Sequence, residues 1–274
     1  MTPDPSSFAP DPGEPAAVND LSQALALLAR REQELAALHA GHEDWVRAVS
    51  HDLRAPLRHI TSYAPLLRET LHGAGLQGVD AQEAEQFLGV MEQAARRLGS
   101  MLDGTLLMAR VLRQRQPLHS VDLAQMAAEV RDALLAAEPA DQGQAVQWRL
   151  PVAPVLLQAD PDLLRQMLRA LLDNALKFSR GSSPARIELQ AQALPDGGLR
   201  WQVQDNGVGF DGARAAQAFG LFQRLHREGE FDGVGVGLAL AQAVARRHAA
   251  GLALTGTPGQ GCTVTVDWPA APAG

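Results

Sequence analysis

Leu21, Leu25, Leu28, Glu32, Leu35, His39, His42, Val46, Val49 and Leu53 fall at alternating steps of four and three residues. This is a heptad seam, the period of a helix that lies along another helix. Glu32, His39 and His42 are polar on it, so the middle of the seam is its weaker part. An amphipathic helix set into a globular core would carry a similar pattern. A second run follows the Gly-rich "HGAGLQGVD" (72–80): Phe87, Met91, Ala94, Leu98, Met101, Thr105, Met108 and Leu112, again at steps of four and three. Two such helices joined by a short turn make a hairpin. With one apolar seam on each arm the hairpin cannot cover itself, so pairing with a second copy into a four-helix bundle, a homodimer, is expected.

The 274 residues allow two modest domains with separate cores. The heptads break at "RQRQPLHSVDL" (113–123), where Pro117 ends the helix and mixed elements begin. The expected organisation is therefore a tail over 1–18, a coiled coil and hairpin over 19–116 and a second domain over 117–270. Five prolines in the first fifteen residues make the tail a poor candidate for a helix or a core, and disorder is expected there. Lys and Arg number 24 against 31 Asp and Glu, and no basic block occurs, which argues against nucleic acid and against an anionic membrane surface. Cys262 is the single cysteine, so an intrachain disulfide is excluded and a buried thiol in a reducing compartment is expected. The start shows no signal-peptide pattern, and no run of 18 apolar residues follows. A cytoplasmic protein is the expectation.

With Val46 at position a and Val49 at d, His51 falls at f, the position farthest from a partner helix. A histidine projected outward from a bundle has no packing task and is free to react. Asp52 stands beside it, where a carboxylate can orient the imidazole or take up a proton as a ring nitrogen attacks an electrophile. Pro56 removes a backbone donor one turn later and is expected to bend the helix. A His-Asp pair alone is most often surface decoration.

Beyond Pro117 the pattern predicts a helix over 122–137, strands at "AVQWRLP" and "APVLLQAD", and a helix over 161–178 with Asp160 as N-cap and Pro161 at its first position. Strands "ARIELQAQAL" and "GGLRWQVQD" follow, then a helix from about 236 to 248 and strands "GLALTGT" and "GCTVTVDW". Antiparallel pairs with helices on one side make an α+β sandwich, not a doubly wound parallel sheet. Asn174 and Lys177 share one helix face at i, i+3. An amide oxygen can hold Mg2+ while an ammonium neutralises phosphate. In "DNGVGF" (205–210) the Asp205 carboxylate can accept from an exocyclic amine, and Gly207 and Gly209 let the backbone pass close to a ligand; a plain hairpin turn would read the same. "GVGVGLALAQAVA" sets Gly233, Gly235 and Gly237 at a helix N-terminus, where free N–H groups attract phosphate. No βαβ unit and no Walker-type sequence surrounds them, which excludes the two commoner nucleotide folds.

In this order the motifs resemble those of the sensor histidine kinases of two-component systems. "SHDLRAPL" (50–57) is similar to their H box and "LLDNALKF" (171–178) to their N box. "DNGVGF" resembles the first G box, "FGLFQRLH" (219–226) the F box and "GVGVGLA" (233–239) the second G box. The F box is most similar to that of the phytochrome-type branch, although no chromophore-binding domain is expected within these 274 residues. The resemblance implies a dimerising phosphoacceptor hairpin followed by an α/β-sandwich (Bergerat-type) ATP-binding domain. It further implies His51 as phosphoacceptor with Asp52 as acid/base partner, Asn174 as Mg2+ ligand, Lys177 on phosphate and Asp205 on the adenine amine. The glycines would give the pocket and lid their flexibility, and Phe219 and Phe222 would anchor the lid. ATP and Mg2+ would be the cofactors and a response-regulator receiver domain the partner. Input is expected through a protein docked on residues 19–48, unless the chain is a piece of a longer sensor.

Five positions depart from the family pattern. Ala170 stands where a second Asn is frequent, Val234 where a Thr is common, and Ala249 and Ala250 where a Gly pair is usual. Ala55 stands where relatives carry the Thr or Asn that holds water for dephosphorylation, which implies weak phosphatase activity. The competing reading from another class is a dimeric nucleotide-binding scaffold that regulates partners by docking, without phosphotransfer.

Overall fold

The computed structural model describes residues 14–73, 78–113, 117–137, 146–226 and 230–271, with backbone alone over most of 14–47. Two long helices come first, α1 (Glu14–Gly73) and α2 (Val79–Arg113). Glu14 to Val18, assigned to the tail from sequence, already belong to α1. The rest of that tail, the seam side chains of Leu21, Glu32, Leu35, His39 and His42, and Ala74 to Gln77 of the turn lie outside what is described. Pro56 and Pro65 both stand inside α1, which continues through them. Pro56 has no N–H to offer the Asp52 carbonyl one turn back.

Within the hairpin, α1 faces α2 with Val46, Ser50 and Ala64, and α2 answers with Leu88 and Ala95, all buried. Ion pairs cross at two levels: Arg54 to Asp103 at 2.6 Å, and Arg68 to Glu85 and Glu92 at 2.9 and 3.1 Å. The stripe read as the α2 seam is a different one. Phe87, Met91 and Leu98 are 64%, 50% and 51% exposed and point away from α1.

The remainder folds as β1 (His119–Asp122), α3 (Leu123–Ala137), β2 (Val146–Arg149), β3 (Leu156–Ala159), α4 (Pro161–Phe178), β4 (Ala185–Ala193) and β5 (Leu199–Asp205). A 3-10 segment (Gly212–Phe219), α5 (Gly237–Arg247), β6 (Gly251–Thr257) and β7 (Gly261–Trp268) complete it. The five-stranded sheet runs β2-β4-β5-β7-β6, parallel only at β2–β4. A separate antiparallel pair joins β3 to His119–Asp122, a stretch the sequence reading gave to the domain boundary, with Asp122 opening the next helix. Alternation along β4, β5 and β7 turns Ile187, Leu189, Trp201, Val203, Val264 and Val266 toward the helices, while Gln190 and Gln204 face solvent.

Helix α4 is the central element. Its cap is the one expected: Asp160 Oδ1 accepts from the amides of Asp162 and Leu163, and Pro161 opens the helix. Leu163, Leu164, Met167, Leu168, Leu171 and Leu172 are all buried along one face. The amide of Asp160 also donates to His248 Nε2 at the end of α5, and His248 Nδ1 donates to the Val244 carbonyl. That pair of bonds fixes one neutral tautomer and ties the start of α4 to the end of α5. The carboxy-terminal part of α2 joins the same core: Val111 is buried in it, with Leu107 and Met108 against it. Gly104 is seated on Val236, just before α5, and a Cβ there would come 2.5 Å from Val236 Cγ2.

Candidate active site

A cavity of about 240 Å³ opens between α4, the ends of β5 and β7, and the segment leading into α5. Asn174, Lys177, Asp205, Gly209, Gly233, Gly235 and Gly237 line it, seven of the residues singled out from sequence. Gly207, Phe219 and Phe222 do not. His51 and Asp52 stand apart from it on α1.

Asp205 ends β5 at the inner wall, 7% exposed. Burial raises its pKa to about 6 against the opposing effect of backbone amides from Gly207 and Cys262. The Gly207 amide donates to its Oδ1 at 2.9 Å. A buried carboxylate with one wall of backbone donors and one side open to the cavity suits an exocyclic amine. Gly209 follows at φ +60, and a Cβ there would strike the Thr257 carbonyl, so only glycine lets this turn close against β6. Cys262 lines the same wall, its thiol pushed up to about 12 by burial first and by the Asp205 charge second. It is inert, as a structural cysteine is.

At the other end Lys177 Nζ donates to Asn174 Oδ1 at 3.3 Å. Burial lowers the lysine's pKa, with Asp173 the main opposing charge and Arg224 acting in the same direction as burial. Among the described residues no three His, Cys, Asp or Glu side chains gather closely enough to hold a metal by themselves. A divalent cation would therefore bring phosphate oxygens and water as most of its ligands, which is how Mg2+ is held, and the Asn174 amide oxygen fits as a protein contribution. Ala170, one turn earlier on the same cavity wall, presents a methyl group.

Residues 223–226 and 231–236 line this end. The Phe222 amide donates to the Gly235 carbonyl at 2.9 Å, with Phe222 itself at φ +64. A Cβ on Gly235, at φ +77, would strike the Gln223 carbonyl. Arg214 donates to the carbonyls of Leu225 and Arg224, and Arg224 to that of Phe231 at 2.6 Å. Phe219 packs against the core, whereas Phe222 is held here through its backbone. Arg224, His226, Phe178 and Phe231 also line the cavity and were not singled out from sequence, although the first three sit inside the F-box and N-box stretches.

On α1, His51 is exposed, its side chain 84% accessible, as its heptad position predicts. Its Nδ1 lies 3.2 Å from Asp52 Oδ1. An ionised carboxylate can only accept, so this contact places the ring proton on Nδ1 and leaves the Nε2 lone pair free.

Two family models match this chain. The His Kinase A (phospho-acceptor) domain covers residues 42–113, and the histidine kinase-, DNA gyrase B- and HSP90-like ATPase covers residues 159–272. The chain belongs to the sensor histidine kinases. Among this family it is 28% identical over 244 residues to the phytochrome-like protein Cph1 of Synechocystis, covering 86% of this chain and 31% of that protein. With the phosphate regulon sensor protein PhoR of Pseudomonas aeruginosa it shares 30% identity over 247 residues, 87% of this chain and 52% of that one. The crystal structure of full-length ShkA in complex with AMPPNP superposes with a TM-score of 0.56 at 25% identity, covering 84% of this sensor-kinase chain and 47% of that one. The chain thus spans about a third to a half of the length of these relatives. Among the described residues no helix is long and apolar enough to cross a membrane.

Proposed function

We propose that this protein is an ATP-dependent protein-histidine kinase that phosphorylates His51 and passes the phosphoryl group to an aspartate of a response-regulator receiver domain. The observation that carries this reading is the pairing, on one chain, of an outward imidazole with Nε2 free and a cavity suited to adenine at Asp205 and to phosphates at Asn174 and Lys177. The Nε2 lone pair attacks the γ-phosphorus as its bond to the β,γ-bridging oxygen breaks. ADP leaves with that electron pair. Asp52 stabilises the positive charge developing on the ring by holding the Nδ1 proton. Lys177 and the amides at the start of α5 receive phosphate charge, and the lid excludes water. Bound Mg2+, held in part by Asn174, would neutralise charge on the transferred group.

Functional domains spanning 19–116 and 117–270, a cytoplasmic location where ATP and a receiver domain are both present, and input through a partner on residues 19–48 belong to the same proposal. So does a homodimer, supported by the exposed stripe on α2. Incubation with γ-labelled ATP and Mg2+ should yield an acid-labile, alkali-stable label that His51→Gln reduces to background. Label retained by that variant overturns the assignment, and nucleotide binding without any label would favour a scaffold.

A further inference from the structure

Three rings meet at the mouth of the cavity. Phe178, the last residue of α4, has its centroid 5.1 Å from His226 and 4.9 Å from Phe231, and the latter two are 5.1 Å apart. The Phe178–Phe231 pair is edge-to-face at 66°, a favourable arrangement of ring quadrupoles. His226 and Phe231 come from the lid, whereas Phe178 belongs to the helix that carries Asn174 and Lys177. The Lys177 ammonium lies 4.4 Å from the Phe178 centroid, so the same ring that receives the lid also contacts the phosphate-binding cation. The Arg224 bond to the Phe231 carbonyl fixes the position from which that ring approaches. Asp205, the base-reading group, lies on the sheet and is outside this triangle.

We propose that His226 and Phe231 are positioning residues: they seat the lid on Phe178 and through that ring hold the Lys177 ammonium toward the phosphates, so that affinity for a nucleotide's phosphates depends on the triangle while affinity for its base does not. The inference rests on the nucleotide reading above. Without the two lid rings Phe178 loses both of its stacking partners, and the four-carbon stem of Lys177 regains rotamers that the ring now restricts. The effect appears only with a ligand that reaches Lys177.

Calorimetric titration of the full chain with adenosine and with ADP separates the two ends. Phe231→Ala should weaken ADP about tenfold and leave adenosine within about twofold, the size expected for the loss of two aromatic pairs. Phe231→Tyr and His226→Phe, which keep a ring, should bind ADP as the unaltered chain does, whereas His226→Asn should behave like Phe231→Ala. Equal weakening of adenosine and ADP would show a merely structural role and overturns the proposal, as does unchanged ADP affinity in Phe231→Ala. Failure of the unaltered chain to bind either ligand overturns the nucleotide site itself, and the inference with it.

Discussion

Ala249 sits at φ +53, two residues past the end of α5. The amide of Ala250 donates to the Ala245 carbonyl at 2.8 Å and that of Ala249 to Arg246 at 3.1 Å, the two bonds of a Schellman turn. The residue between them must be left-handed, at a cost of roughly 1–2 kcal/mol for an L side chain. Replacing it with glycine removes that cost but returns freedom to the unfolded chain, so Ala249→Gly should stabilise by about 0.5–1 kcal/mol in urea unfolding. A loss of stability would mean that the turn is not left-handed in solution. Asp205 gives a pH prediction. Its folded pKa is raised, from 3.8 to about 6, so the folded state binds this proton more tightly than the unfolded one. Holding the charge in the folded site above pH 6 costs on the order of 3 kcal/mol, and that cost is relieved as pH falls from 6 toward 3.8. Binding runs the other way, because the neutral acid turns a donor toward the amine. Affinity for adenosine, which has no phosphate to titrate, should fall up to about tenfold per pH unit below 6, and an Asp205→Asn chain should bind weakly with no such slope.

At the scale of elements, the two faces of α2 have separate tasks. Leu88 and Ala95 pack against α1, so the exposed Phe87, Met91 and Leu98 form a stripe left for another chain. Met91→Glu combined with Leu98→Glu should therefore abolish dimerisation while circular dichroism still reports the helical hairpin. Collapse of the helices would show that the stripe is internal. That division also explains what could be read from sequence. Heptad spacing revealed the apolar stripe, but spacing alone does not say which partner lies on it. Helix α4 was legible to the residue, because Asp160 and Pro161 carry a local capping signal and Leu163 to Leu176 carry an amphipathic period. Strand β1 was not, since its four residues pair with β3, and each partner is 34 to 40 residues away. Asn174, Lys177, Asp205 and the glycines were found through short motifs whose chemistry is local. The triangle of Phe178, His226 and Phe231 was missed because an aromatic residue in a sequence reads as core until folding brings three of them together at a cavity mouth.

At the scale of the whole molecule, α1 alone is 60 residues, about 90 Å long, and carries His51 on its flank. A protein of this shape with an unpartnered apolar stripe should be a dimer, and light scattering at micromolar concentration should return about twice the 29.2 kDa chain mass. A monomer would remove the bundle. The nucleotide-binding unit rests on α2 at Gly104, where a side chain would collide with Val236. Gly104→Val should lift that unit off the helix and enlarge the radius of gyration in small-angle scattering, with nucleotide affinity retained; an unchanged radius would show that the contact does not fix the two units. Gly104 is bare on one bearing of the helix only, so α2 fits against Val236 in one rotational setting. A turn of about 100° about its own axis brings the side chain of Asp103 or Thr105 under Val236. A twist of the bundle in that sense would press a side chain onto the residue just before α5.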